Sequence, residues 1–319
     1  MNPPRVLIVK TSSMGDVVHA LPVVADIHAH LPGAQIDWLV EAPFAAIPKM
    51  HPGVRRVLPT QWRKWSQQLL SPATWKAMGE LRSELRREPY DLVLDLQGLL
   101  KSALWARQAG APVAGYDRKS IREPAAALFY QRTAAVSREI HAVLRCRALA
   151  AIHLGYGLPT RPPDFGLKVP TDGWTPRSAY GLIIPNASRK EKLWPERHWV
   201  AVGRRMVEMG WTPLVIWGRP DEQSLAESIA ASCDGDVPPF LKVGEMAAVL
   251  AGAQQVVGLD TGFTHLAAAL GRPTLGIYCD HEPGLAGITG PGRVASIGGK
   301  GQVPSRNDVL TLFEQQLAR

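Results

Sequence analysis

The chain has 319 residues, 46% hydrophobic and 20% charged; this exceeds the ~250 residues at which one core usually stops growing and excludes a disordered or low-complexity protein. No run approaches the ~20 apolar residues of a membrane span, the stretch Val6 to Val9 is too short for a signal-peptide core, and Cys146, Cys233 and Cys279 lack the spacing of a disulfide framework or a zinc site. The net charge of +8 lies wholly in residues 1–160, with 20 Lys+Arg against 12 Asp+Glu, whereas residues 161–319 carry 16 of each. A cytoplasmic chain of two domains, 1–160 and 161–319, is therefore expected, with buried thiols. The first domain should face a polyanion, which could be a nucleic acid, an anionic lipid surface or an acidic glycan.

Short β-rich runs alternate with helical patterns, which predicts parallel sheets covered by helices. In the first half, strands are expected near 5–10, 35–41, 55–58, 92–96 and 112–116, with helices near 17–31, 73–88, 99–109 and 138–154. The first strand runs through Thr11-Ser12-Ser13-Met14-Gly15-Asp16 into the first helix. Asp16 then stands at a strand's carboxyl end, where α/β folds present ligands, although capping of the helix accounts equally well for an Asp there. Trp62-Arg63-Lys64-Trp65 interleaves cations with aromatics, and Arg118-Lys119 and Arg122-Glu123 follow the fifth strand. Arg63, Lys64 and Arg122 are the candidate contacts to an anionic partner, set against ordinary solvation of a surface.

A Pro-rich stretch from Pro159 to Pro176 precedes a second series, with strands near 181–185, 212–217, 255–260 and 274–278 and helices near 195–209, 220–232, 244–252 and 263–270. Pro195 suits a first helical position and Gly210 the residue just past a helix end. A last helix, 307–318, carries Val309, Leu310, Phe313 and Leu317 at helical spacing and is expected to pack back toward the first domain.

Asp260-Thr261-Gly262-Phe263-Thr264-His265 joins a strand to a helix. Free backbone N–H groups there, with Thr261 and His265 as side-chain donors, can cradle a diphosphate, although simple capping uses the same residues. The segment is neither GxxxxGK[ST] nor GxGxxG. Ala187 to Pro195 follows the second domain's first strand and offers cations, Lys192 among them, to clamp phosphates or to solvate a surface. Trp217 to Glu222 ends the next strand, where an acidic residue can accept hydrogen bonds from a ribose. Asp234-Gly235-Asp236 leads into Pro238-Pro239 and reads as a turn, and His281-Glu282 lacks a second ligand, so no metal site is expected.

Taken in order, KTSSMGDVVHALP (Lys10 to Pro22), SRKEKLWP (Ser188 to Pro195), WGRPDE (Trp217 to Glu222) and DTGFTHLAAALGRP (Asp260 to Pro273) strongly resemble the type I lipopolysaccharide heptosyltransferases of glycosyltransferase family 9, over nearly the whole chain. The resemblance implies an α/β fold of GT-B type, with two Rossmann-like doubly wound domains facing across a cleft. It also implies transfer of L-glycero-D-manno-heptose from ADP-heptose to a Kdo sugar of Kdo2-lipid A, with inversion, in the lipopolysaccharide inner core. Asp16 matches the catalytic base. Lys192, Thr261, Gly262 and His265 match donor diphosphate contacts, Glu222 the ribose contact and Asp260 a residue near the heptose. Ala187 and Ser188 fall at the donor as well; Ala187 departs from the Thr of a close relative, and Leu241 from a Met beside the adenine. Ser13 joins Arg63, Lys64 and Arg122 on the acceptor side. No cofactor beyond the donor substrate is implied, and a peripheral place on the anionic cytoplasmic face of the inner membrane is. Two rivals remain: another GT-B sugar-nucleotide glycosyltransferase, either a different heptosyltransferase or one using a UDP-sugar, and a basic nucleic-acid-binding protein, which is not expected because no recognition motif is present.

Overall fold

The computed structural model describes residues 3–169 and 174–317. Residues 170–173 of the Pro-rich stretch, and Ala318 at the end of the expected last helix, lie outside the described residues. The chain divides into two compact units, Met1–Lys168 and Val169–Arg319.

The first unit runs β1 (Arg5–Val9), α1 (Met14–Ala20), α2 (Pro22–His30), β2 (Gln35–Glu41), α3 (Ala46–Lys49), β3 (Arg56–Thr60), α4 (Trp62–Trp65), α5 (Pro72–Arg86), β4 (Leu92–Asp95), α6 (Leu100–Gln108), β5 (Val113–Tyr116), β6 (Arg132–Ala134) and α7 (Ala142–Leu154). Its strands form one parallel sheet, β3-β2-β1-β4-β5-β6. Val6, Leu7, Ile8 and Val9 are wholly buried at its centre, as expected of a parallel strand covered on both faces. The helical pattern expected over 17–31 is two helices. Pro22 has no N–H with which to continue the ladder of α1, and α2 opens on it. The first of these helices starts at Met14, earlier than the apolar pattern indicates, because Ser13 supplies its N-cap. β6 escapes the sequence pattern because two of its three residues are exposed.

The second unit runs β7 (Tyr180–Ile184), α8 (Glu196–Glu208), β8 (Thr212–Val215), α9 (Gln223–Ser232), α10 (Val243–Gly252), β9 (Val256–Leu259), α11 (Gly262–Ala269), β10 (Thr274–Tyr278), α12 (Pro283–Ala286), β11 (Val294–Gly298) and α13 (Arg306–Leu317). Its strands form a second parallel sheet, β11-β10-β9-β7-β8. Pro195 stands one residue ahead of α8. Gly210 stops that helix: at φ +78° its N–H reaches Val207 O (2.8 Å) while Trp211 N–H reaches Met206 O (3.0 Å). The terminal helix α13 buries Val309 and Phe313 in the core of its own unit, with Trp199, Met206, Ile183 and Ile277. All three cysteines are free and buried.

Strand order reverses between β1 and β4 in the first sheet and between β7 and β9 in the second. Loops diverge at such switch points and leave a crevice at the carboxyl ends of the strands. Among the described residues no helix is long and apolar enough to cross a membrane.

Part of the N-terminal positive charge is internal. Arg147 of α7 makes a bidentate pair with Asp26 of α2 (2.7 and 3.0 Å), both about 1% exposed. Asp37 of β2 accepts from Arg55 (2.9 Å), Arg56 (2.9 Å) and Tyr90 (2.6 Å). Removing one partner of a buried pair strands the other's charge. Arg147→Ala should cost the first unit about 3–5 kcal/mol in urea unfolding, and a loss under about 1 kcal/mol would contradict a structural role for the pair.

Candidate active site

In the first unit the loop after β1 is held from β4. Asp95, fully buried at the end of β4, accepts from Tyr130 OH (2.7 Å) and from the N–H groups of Gln97 (2.8 Å) and Gly98 (3.2 Å). Gln97, so placed, accepts through Oε1 from Thr11 N–H (3.0 Å) and Ser12 N–H (3.1 Å). Lys10 reaches across the switch point and donates to Leu96 O (3.0 Å). The turn leading to Asp16 is thus fixed from β4 by hydrogen bonds between backbone and side chains.

Asp16 is the third residue of α1, not its cap. Its Oδ2 accepts from Ser13 N–H (2.9 Å) and Ser13 Oγ (3.0 Å), and its Oδ1 lies 3.7 Å from Lys10 Nζ. Burial pushes the Asp16 carboxyl up, but the Lys10 charge, the Ser13 hydrogen bonds and nearby His19 together hold it below the usual carboxylate value. It is therefore ionised at neutral pH while remaining about one-third exposed. The capping role and availability for chemistry coexist in this side chain.

Ser12 leads to a second group. Lys101, at the start of α6, donates to Ser12 Oγ (3.1 Å). Burial lowers its ammonium, Glu41 and Glu123 oppose that shift, and Arg63 and Arg122 add to it. Arg63 and Arg122, from separate segments, thus both bear electrostatically on the lysine that bonds Ser12. Lys64 is exposed on α4.

In the second unit the chemistry gathers at the end of β9. Asp260 accepts from Lys192 Nζ on one oxygen and pairs with His265 Nε2 (3.1 Å) on the other. Burial pushes this carboxyl up, but His265 and Lys192 outweigh burial and hold it well below the usual range. Thr261 is the N-cap position of α11, whose first N–H groups lack helical acceptors. Thr264 donates to Leu259 O (2.6 Å), and only a glycine at 258 allows this, since a Cβ there would stand 2.5 Å from Thr264 Oγ1.

The loop after β7 is tied to the same sheet end, because Arg189 pairs with Asp280 (3.0 Å) as Lys192 does with Asp260. Ala187 packs against the core and Ser188 is exposed. Glu222 closes its own turn, accepting from Gly218 N–H (2.9 Å) and Arg219 N–H (3.2 Å). Leu241 is buried beside Phe240, whose ring lies 5.7 Å from Trp217. Asp234 adopts φ 51°, and Asp236 bonds through its backbone to Pro213 and Val215, so the Asp-Gly-Asp segment is a turn extending the sheet. Among the described residues no group of three or more His, Cys, Asp or Glu side chains is placed to hold a metal ion.

The family model described as glycosyltransferase family 9 (heptosyltransferase) matches residues 78–308. The chain belongs to glycosyltransferase family 9. Lipopolysaccharide heptosyltransferase 1 of Pseudomonas aeruginosa is 43% identical over 91% of this chain and 82% of that protein, and the enzyme of that name from Escherichia coli K12 is 40% identical over 89% and 90%. The solved structure of E. coli heptosyltransferase WaaC with ADP superposes with a TM-score of 0.89 at 37% identity, covering 98% of this chain and 99% of that one. The same enzyme with ADP-2-deoxy-2-fluoro heptose gives a TM-score of 0.84 at 35% identity, with the same coverage. The two parallel-sheet units are thus those of a GT-B family 9 glycosyltransferase.

Reasoning from the family 9 motifs missed Gln97, Lys101 and Glu41. Gln97 had a detectable signal, a polar residue just past a predicted strand end; Lys101 and Glu41 become informative only once the sheet order is known. Asp260 carries a further test. A carboxyl depressed in the folded state stabilises the fold above its unfolded pKa, and that stabilisation is lost as pH falls through the folded one. The stability gap between wild type and Asp260→Asn should therefore be present near pH 5 and shrink below about pH 4. Urea unfolding across that range checks this, and a gap that persists undiminished in strong acid would contradict it.

Proposed function

We propose that this family 9 enzyme transfers L-glycero-D-manno-heptose from ADP-heptose to a Kdo residue of Kdo2-lipid A, with inversion at the anomeric carbon. The observation that carries the proposal is the single carboxylate, Asp260, holding two donors, Lys192 and His265, at the N-terminus of α11. That arrangement suits a leaving diphosphate, and relatives with the same fold are solved with ADP and with an ADP-heptose analogue. The names of the relatives support the acceptor assignment, as does the cationic first unit.

In this reading the first unit takes the acceptor through Ser13, Arg63, Lys64 and Arg122, and the second takes the donor. Asp16 accepts the proton of the acceptor hydroxyl as that oxygen bonds to the anomeric carbon, and the anomeric carbon's bond to the diphosphate breaks. A carboxylate stabilised by Lys10 and Ser13 is a weak base, so the proton moves late, when the hydroxyl has become acidic. Charge growing on ADP meets Lys192, His265, Thr261 and the free N–H groups beginning at Gly262, and such preorganised donors stabilise a leaving group without a cofactor. Glu222 exchanges a backbone partner for a ribose hydroxyl, while Ala187, Ser188 and Leu241 border the nucleotide. The enzyme works at the cytoplasmic face of an anionic inner membrane, where its acceptor is anchored.

Calorimetry should find tight binding of ADP-heptose and weak binding of UDP-sugars. Asp16→Asn should keep that donor affinity while turnover falls roughly a hundredfold or more, the scale of general-base catalysis. Near-normal turnover in Asp16→Asn would reject the base, and preference for a UDP-sugar would reject the donor.

A further inference from the structure

The first unit presents an apolar face that the proposed chemistry does not use. Large hydrophobic side chains are exposed at Leu69 (45%), Leu70 (100%), Trp75 (58%), Leu100 (38%) and Leu104 (40%). They are contiguous. Trp75 and Leu104 line one groove of about 490 Å³ with Trp62, Met78, Trp105 and Arg82. Trp75 Nε1 donates to Leu69 O (2.7 Å) and so anchors the leucine turn at the rim of this groove. Leu100 lies one helical turn from Leu104 on α6.

The turn itself projects. Ser71 N–H closes it on Gln68 O (3.0 Å), which leaves Leu69 and Leu70 at its tip. Charge around the tip is mainly positive, with Glu80 on α5 and Glu123, which accepts from Leu100 N–H (2.7 Å), as acidic exceptions. Residues 61–79 contain Arg63, Lys64 and Lys76 and no Asp or Glu, and α6 contains Lys101 and Arg107 and no acid. An apolar tip with a Trp at its base and a cationic collar matches the layering of a bilayer surface: acyl chains inside, aromatic rings at the boundary, anionic phosphates above.

We propose that this face, formed by the Leu69–Leu70 turn, Trp75 and the groove between α5 and α6, inserts into the headgroup layer of an anionic phospholipid bilayer. The proposal rests on the membrane contact stated above and gives it a location. A protein partner would have to cover a fully exposed leucine tip and neutralise a collar of cations; an anionic bilayer does both with one surface.

The test uses the full chain and sedimentation with vesicles of phosphatidylcholine, with and without phosphatidylglycerol. Wild type should partition onto the anionic vesicles in a salt-sensitive manner. The triple variant Leu69→Ser, Leu70→Ser, Trp75→Ser should lose at least about tenfold in partition coefficient, as expected for apolar side chains no longer buried in lipid. Lys76→Glu with Arg82→Glu should weaken binding to the anionic vesicles only. ADP affinity, measured by calorimetry, should be unchanged in both variants and reports an intact fold. Equal partition of wild type and the triple variant would overturn this location while leaving membrane contact standing. No binding by wild type would overturn both, and equal binding to neutral vesicles would overturn the role of the collar. Self-association that the triple variant abolishes, with vesicle binding unaffected, would make the face an interface between copies of the chain and overturn the proposal.

Discussion

The two strands β1 and β9, buried on both faces beside the points where strand order reverses, carry no charged side chain along their buried length, and this constraint arranges the chemistry of both units. β1 is apolar from Val6 to Val9, and β9 is buried from Val256 to Leu259. Polar residues therefore come immediately after the last strand residue, at Lys10, Thr11 and Ser12 in one sheet and at Asp260 and Thr261 in the other. Both positions are switch points, where neighbouring loops part and helix N-termini point outward.

At each switch point one carboxylate is kept ionised by partners from its surroundings. Asp16 has Lys10 and the capping Ser13; Asp260 has Lys192 and His265. The partners differ in what they leave open. Asp16 remains partly exposed, which fits a group that receives a proton. Asp260 is more enclosed and accepts from Lys192 while pairing with His265, which fixes the two side chains relative to one another. Asp95, wholly buried, shows the remaining case: burial pushes its carboxyl up despite four hydrogen-bond partners, and its use is to fix the Gln97 bridge beneath the Asp16 loop.

Much of this was legible in the sequence, because central strands and helix punctuation write themselves as apolar runs, Gly and Pro. Of the four edge strands, β3 and β8 were legible but β6 and β11 were not: β6 is mostly exposed and β11 only partly buried, so neither has a continuous apolar run. The start of α1 was misplaced because Ser13 and Asp16 cap each other, a reciprocal interaction that hydrophobic periodicity does not register. Charge counting located the basic half correctly but not the tasks of individual cations. Arg55, Arg56 and Arg147 hold buried carboxylates, whereas Arg63 and Arg122 bear electrostatically on Lys101. Residues such as Gln97 and Lys101 act through neighbours distant in sequence, and only the sheet order brings those neighbours together.

The central claim is that the donor is ADP-heptose and that Kdo2-lipid A receives the sugar with inversion. The most direct measurement incubates purified enzyme with ADP-heptose and Kdo2-lipid A, reads the product by mass and determines its anomeric configuration by NMR. The account predicts a product heavier by one heptose residue, with the configuration opposite to that of the donor. Retention of configuration, or transfer from a UDP-sugar with none from ADP-heptose, would contradict it.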